Sequence, residues 1–173
     1  MENLLQLVRQ NKTDVMYGKK RHFNAADRKQ NYHWYLGVPL IIGNLLSASI
    51  LWYVLKQDIQ DSWKYIPLFL SLILAIGSSL QTFFNFEKKI EGHKRVGNKY
   101  LAIMKRCQRL ESYILQNDLE SNVIIKEIED IAAETDKVNV EAEAFPTSKA
   151  DFEKARKGFK EGEESYTNEE LQA

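Results

Sequence analysis

The chain has 173 residues, no net formal charge, one cysteine and few prolines and glycines, which excludes an intramolecular disulfide framework, a Cys-rich zinc site and a collagen-like or low-complexity chain. Its mean hydropathy of -0.42 would suit a soluble protein only if the apolar residues were evenly spread, and they are gathered in two segments. The zero charge is also a cancellation: up to Tyr35 there are 7 Lys/Arg against 3 Asp/Glu, from Glu87 to Leu110 8 against 2, and from Glu111 onward 7 against 17.

Residues 1–35 read as a cytosolic N-terminal segment, with a helix expected over roughly 18–35 that carries Phe23 and Tyr32. Leu36 to Leu55 follows, 20 residues without a charge, of which eleven are Leu, Ile or Val. As a helix it is roughly 30 Å long, the thickness of a bilayer's hydrocarbon core. Ile66 to Phe86 repeats the pattern with no ionisable group and twelve Leu, Ile or Phe. Trp34, Tyr35, Trp52, Tyr53, Trp63 and Tyr65 fall at the expected interfaces, where amphipathic rings are favoured. The sequence therefore predicts an all-α protein built on a transmembrane hairpin, 36–86, with spans 36–55 and 66–86. The connection 56–65 is charge-balanced while the outer flanks carry most of the Lys and Arg, so the positive-inside rule puts the connection outside and both termini in the cytoplasm. A signal peptide fits poorly, because 35 mostly polar residues precede the first apolar run and the run is too long. Helices of a soluble core do not explain the charge asymmetry or the aromatic flanks.

Within the second span Ser71, Ala75, Ser78, Thr82 and Asn85 recur at spacings of four and three, which places them on one helical face. In the first span Gly43 and Ser47 form a small-xxx-small pair, and Asn44 adds an amide that hydrocarbon alone leaves unsatisfied. Two readings stay open: these residues pack the hairpin and hold an oligomer, or the polar face turns toward a water-filled pore when subunits assemble. No ionisable residue lies inside either span, which argues against a proton relay or a charged selectivity ring.

The cytosolic helices are expected over 87–135. Phe86, Ile90, His93, Gly97, Tyr100, Met104 and Cys107 alternate in steps of four and three, the stripe of one long helix leaving the membrane and packing on the N-terminal helix. Asn117 with Glu120 resembles a capping box for a shorter helix carrying Ile124, Ile128 and Ile131, which fades after Glu134. Residues 136–173 read as an acidic C-terminal tail, with Ser148 and Asp151 positioned to cap a short helix bearing Phe152 and Phe159. Lys88, Lys89, Lys94, Arg95 and Lys99 cluster beside the second span, a pattern suited to anionic lipid head groups. The same cluster could take a phosphorylated signal, although no glycine-rich phosphate loop accompanies it. His22, His33 and His93 lack metal-ligand spacing and read as packing or interfacial residues, and Cys107 as a small core residue. No catalytic signature is present, so no enzyme, cofactor or metal is expected, and no direct contact with nucleic acid.

The basic aromatic entry KKRHFNAADRKQNYHWY and the exit FNFEKKIEGHKRVGNKYLAIMKRC, joined by a two-helix hairpin, resemble the SLATT family, the SMODS and SLOG-associating two-transmembrane effector domains. The likeness extends over roughly 15–135 and leaves the acidic tail after Glu134 outside. It implies a bacterial inner-membrane, homo-oligomeric effector of an anti-phage or conflict system. Such an effector opens a pore or disrupts the membrane when a partner protein or nucleotide signal activates it, giving abortive infection. A non-conducting membrane anchor that recruits a cytosolic partner is the alternative. By the same likeness Phe86, Glu87, His93 and Tyr100 match exit-helix positions, taken here as structural.

Overall fold

Apolar residues repeating in steps of three and four write helix over nearly the whole chain, and the computed structural model, which describes residues 1–56 and 61–165, has five helices there and no strand. They are α1 (Glu2–Lys56), α2 (Asp61–Phe84), α3 (Phe86–Gln116), α4 (Ser121–Glu143) and α5 (Lys149–Lys160). The all-α expectation holds. Residues 57–60 of the connection between the spans, and the side chain of Trp63, lie outside what the structure describes.

Contacts divide the chain into two compact units, one made of Met1–Asp27 with the chain from Glu91 onward, the other of Arg28–Ile90. In the first unit the core is a set of interlocking stripes: Val8 and Val15 from α1, Val96, Tyr100, Ile103, Cys107, Leu110 and Ile114 from α3, and Ile124, Ile128, Ile131 and Val138 from α4. Such four-and-three spacing puts one face of each helix against its neighbours and leaves the charged faces to solvent. Cys107 is fully buried in this core, and burial pushes its thiol up to about 11, so it is inert packing.

Several boundaries differ from the sequence reading, each for a local reason. The N-terminal helix starts at Glu2 and not near Gly18, because Val8 and Val15 give the first two turns and more a core to pack on. Asn117 does not cap α4; it ends α3 in the left-handed region at φ 54°, where an Asn is tolerated, and the following amide of Asp118 bonds back to the Tyr113 carbonyl. Glu120 takes the N-cap position of α4 without a side-chain cap bond. That helix does not fade after Glu134 but runs to Glu143, held by Val138 in the core and by Arg95 and Lys99 gripping Glu141.

The start of the acidic tail is folded too. Ser148 and Asp151 form the expected reciprocal capping box, with Asp151 N–H donating to Ser148 Oγ at 3.3 Å and Ser148 N–H donating to Asp151 Oδ2 at 2.7 Å. Tyr17 of α1 stacks on Phe152 at 5.7 Å and meets Phe159 edge-on at 4.5 Å. Lys19, itself buried, pairs with Glu164 at 2.6 Å, and Lys20 pairs with Glu163. The cations of the N-terminal segment thus bind the acids of the C-terminal one.

Candidate functional site

The second unit holds the two apolar spans. Both helices are long and apolar enough to cross a membrane, and only 17% and 11% of their most apolar windows are buried within the chain, which separates them from the core helices of a soluble protein. Their outward side chains include Ile41, Leu45, Leu68, Phe69 and Phe83, each more than 60% exposed. Trp34, Tyr35, Trp52, Tyr53 and Tyr65 are exposed at the ends of the apolar runs.

The seam between the spans is made of glycines facing leucines. A Cβ at Gly43 would lie 2.6 Å from Leu74 Cδ2, and one at Gly77 would lie 2.6 Å from Leu40 Cδ2, so each helix receives a leucine of the other in a glycine notch. Gly37 admits Gln81 in the same way, and Ser47, Val54, Pro67 and Leu74 are buried along the line. Gly43 and Ser47 thus lie on the line where the two helices meet. Asn44 is exposed and satisfies its amide on its own helix, Nδ2 donating to the Leu40 carbonyl at 2.7 Å.

The polar stripe of α2 lies elsewhere. At about 100° per residue, Ser71, Ala75, Ser78 and Thr82 centre about 70° around the helix from the line through Pro67, Leu74 and Gln81. Ser71, Ala75 and Thr82 are exposed and Ser78 is half-buried, so the stripe flanks the seam and is not what closes the hairpin. Ser71 Oγ donates to the Leu68 carbonyl at 2.7 Å and Thr82 Oγ1 to the Ser78 carbonyl at 3.1 Å. Asn85 departs from the stripe. It stands between α2 and α3 with φ 44°, just before the long exit helix that the stripe from Phe86 to Cys107 predicts, and its Oδ1 accepts from Lys88 N–H at 3.4 Å to begin α3. Beside it, His33 Nε2 approaches Glu87 Oε1 at 3.9 Å and its ring meets Phe86 edge-on.

The basic cluster is divided in its chemistry. Lys88 and Lys89 are exposed, with the Lys89 ammonium over the Phe84 ring at 5.9 Å. Arg95 and Lys99 share the carboxylate of Glu141, Arg95 Nε at 2.7 Å, and this holds Glu141 below the usual carboxylate range. Lys94 is exposed on the same helix. Arg95 and Lys99 are thus tied to a carboxylate of the chain itself.

In the first unit the structure joins residues that sequence spacing kept apart. His22 and His93, 71 positions distant, bring their Nδ1 atoms to 3.2 Å in a buried pair, His93 also tilting against Phe145. One Nδ1 must donate and the other accept, so the contact suits neutral rings. Burial, reinforced by Arg21 and opposed by Asp151, lowers the His22 pKa to about 4. Tyr100 O–H donates to Asn139 Oδ1 at 2.7 Å, and Arg21 Nη2 donates to Thr147 Oγ1 at 2.7 Å. Phe23 lies against Gly97 and Tyr100 against Gly18, which is the packing of the exit helix on the N-terminal helix. Tyr32, expected in that contact, is instead 48% exposed beneath Arg28. No cluster of three metal-ligating side chains occurs among the described residues.

An all-helical chain with two apolar helices long enough to cross a bilayer, closely paired through glycine notches, defines the class, a helical membrane protein. The chain belongs to the SMODS and SLOG-associating 2TM effector domain family 4, whose model matches residues 4–170. It is accordingly a membrane effector domain of the class that serves in conflict systems, and the family name ties it to SMODS and SLOG partners. The match extends well beyond the 15–135 of the sequence resemblance. The segment after Glu134 lies inside the family match, and it packs on α1 through Phe152 and Phe159. No curated protein and no solved structure matches the chain.

Proposed function

We propose that the protein acts without catalysis, by assembling in the bacterial inner membrane into a homo-oligomer whose α2 helices present the Ser71, Ala75, Ser78 and Thr82 stripe to a shared pore. In this reading both spans cross the bilayer with the termini in the cytoplasm. Activation comes from a SMODS- or SLOG-type sensor, and leakage of the membrane halts the infected cell. The observation that carries the reading is the position of the stripe: it is off the hairpin seam, with Ser71, Ala75 and Thr82 exposed in the protomer, so it is free to face a second copy or water in an assembly in place of lipid. The uncharged lining favours a weakly selective conductance.

The test is dye release from liposomes by the full chain and by Ser71→Leu, Ser78→Leu and Thr82→Leu. Ser71 and Thr82 are exposed, so their replacement leaves the glycine notches intact. A pore predicts release by the native chain and its loss in the leucine variants with the hairpin still formed. Equal release by all of them, or none by any together with the activating partner, refutes it.

The second reading, a non-conducting anchor that recruits a cytosolic partner, is favoured by one specific feature. The Ser71 and Thr82 hydroxyls already bond their own helix, so the stripe tolerates an apolar neighbour. For an anchor, exchanging the spans for unrelated apolar helices preserves activity in cells.

A further inference from the structure

We propose that the cavity between α1, α3 and the α4–α5 connection is a binding site for a small organic oxyanion, a phosphate monoester or carboxylate, held by Arg21 and Thr147 with its apolar part against Phe145 and Pro146. The cavity measures about 360 Å³, within the range of small-molecule sites, and lies wholly in the first unit. It is independent of whether the spans conduct.

The charge of Arg21 is the first reason. Lys12, Lys19, Arg95 and Arg106 in the same unit each reach a carboxylate within 3.0 Å, whereas among the described residues the guanidinium of Arg21 contacts the Thr147 hydroxyl and the face of Phe152, 5.6 Å away, and no carboxylate within ion-pair distance. Its Nε is buried with no hydrogen-bond acceptor among the described residues. A half-buried guanidinium with an unpaired donor is costly, and an anion relieves that cost through charge-assisted bonds.

The second reason is the set of donors left over. Thr147 Oγ1 accepts from Arg21, which leaves the hydroxyl proton to donate outward. Asn139 spends its oxygen on the Tyr100 hydroxyl, which leaves the amide N–H2 as a donor at the rim. His22 lines the same space in its neutral form, its Nδ1 already engaged by His93, so it adds no repulsion and no competing charge. The one carboxylate on the lining, Glu143, is exposed at the edge. Three donors, one cation with no carboxylate in contact among the described residues, and an aromatic wall are the complement of an oxyanion carried on a small apolar group.

The experiment is calorimetric titration of the full chain in nanodiscs with phenyl phosphate and with benzoate, and with benzyl alcohol as the uncharged control. Saturable binding of at least one anion, with a Kd of about 1 mM or tighter, is expected, and none of benzyl alcohol. Arg21→Gln keeps a donor for Thr147 but removes the charge, and should weaken binding about tenfold or more. Asn139→Asp keeps the acceptor for Tyr100 and places a carboxylate at the rim; it should weaken binding by about the same factor, and Glu143→Gln should tighten it severalfold. Asn139 and Glu143 are exposed, so these two variants test the site even if Arg21→Gln fails to fold. No saturable binding of either anion up to about 10 mM overturns the proposal. So does benzyl alcohol binding as well as the anions, or affinity unchanged in Asn139→Asp and Glu143→Gln.

Discussion

Acidification between pH 7 and pH 5 should loosen the first unit through His22. Folding lowers this imidazole from its ordinary 6.5 to about 4, chiefly because the ring is buried. The unfolded chain therefore binds the proton more readily than the folded one between these two values. Stability rises with pH across that window, is fully present above about 6.5, and is lost as the pH falls toward 4. A shift of about 2.5 units corresponds to about 3 kcal/mol in total, of which about 2 kcal/mol is lost by pH 5. Asp151 opposes the shift and Arg21 adds to it, so the net lowering already includes both neighbours. The carboxylates of Glu111, Glu127 and Glu141 are held below their ordinary range by Lys and Arg partners, so their contribution is lost only at still lower pH and leaves the window above 5 to His22. The assay is thermal unfolding of the full chain in detergent, followed by far-UV circular dichroism at pH 5, 6 and 7, beside His22→Gln. The native chain should lose about 2 kcal/mol on going to pH 5, and the variant should show a much flatter profile. A native profile flat from pH 7 to pH 5 refutes the reasoning, and an equally steep slope in His22→Gln assigns it to another group.

Other substitutions probe the packing. Gly92→Ala drives a methyl into the Phe145 ring, far inside van der Waals contact, and should cost about 1–3 kcal/mol or expel the ring from its place beside His93; urea or thermal melts and the ring signals of Phe145 report it. Gly43→Val collides with Leu74 and should destabilise the hairpin by about 1–3 kcal/mol in an SDS titration, while Gly43→Ala costs less because the opposing atom is the end of a flexible side chain. Ile103→Ala empties a fully buried core position and should cost about 2–5 kcal/mol, against under about 1 kcal/mol for Glu141→Gln, whose partners Arg95 and Lys99 are half-exposed; thermal melts of the two variants should separate cleanly.

How far the sequence reached depends on the range of the interactions involved. Span length, helical periodicity and the Ser148–Asp151 cap are set within a few residues, by rise per residue, by one-face burial and by one side chain finding a nearby amide. Those features were legible. The stop at Asn117 was misread because Asn serves equally at an N-cap and in the left-handed position that ends a helix, and only the neighbouring Asp118 to Tyr113 bond decides between them. The run of α4 past Glu134 was hidden because its support, Arg95 and Lys99 on Glu141, comes from more than 40 positions away. Heptad spacing of Val8 and Val15 with His22 was the available signal for the longer N-terminal helix.

By itself, then, the chain of residues determined that two uncharged stretches match a bilayer in length, that nearly everything else is amphipathic helix, and that basic and acidic zones are segregated, because these depend on composition and local period. Only the tertiary structure decided that Gly43 and Gly77 carry the seam while Ser71 and Thr82 stand aside, that His22 meets His93, and that Arg21 meets Thr147 and no carboxylate among the described residues. Those outcomes follow from how helices rotate against one another when their cores close, and a rotation about the helix axis changes every neighbour without changing a single local preference.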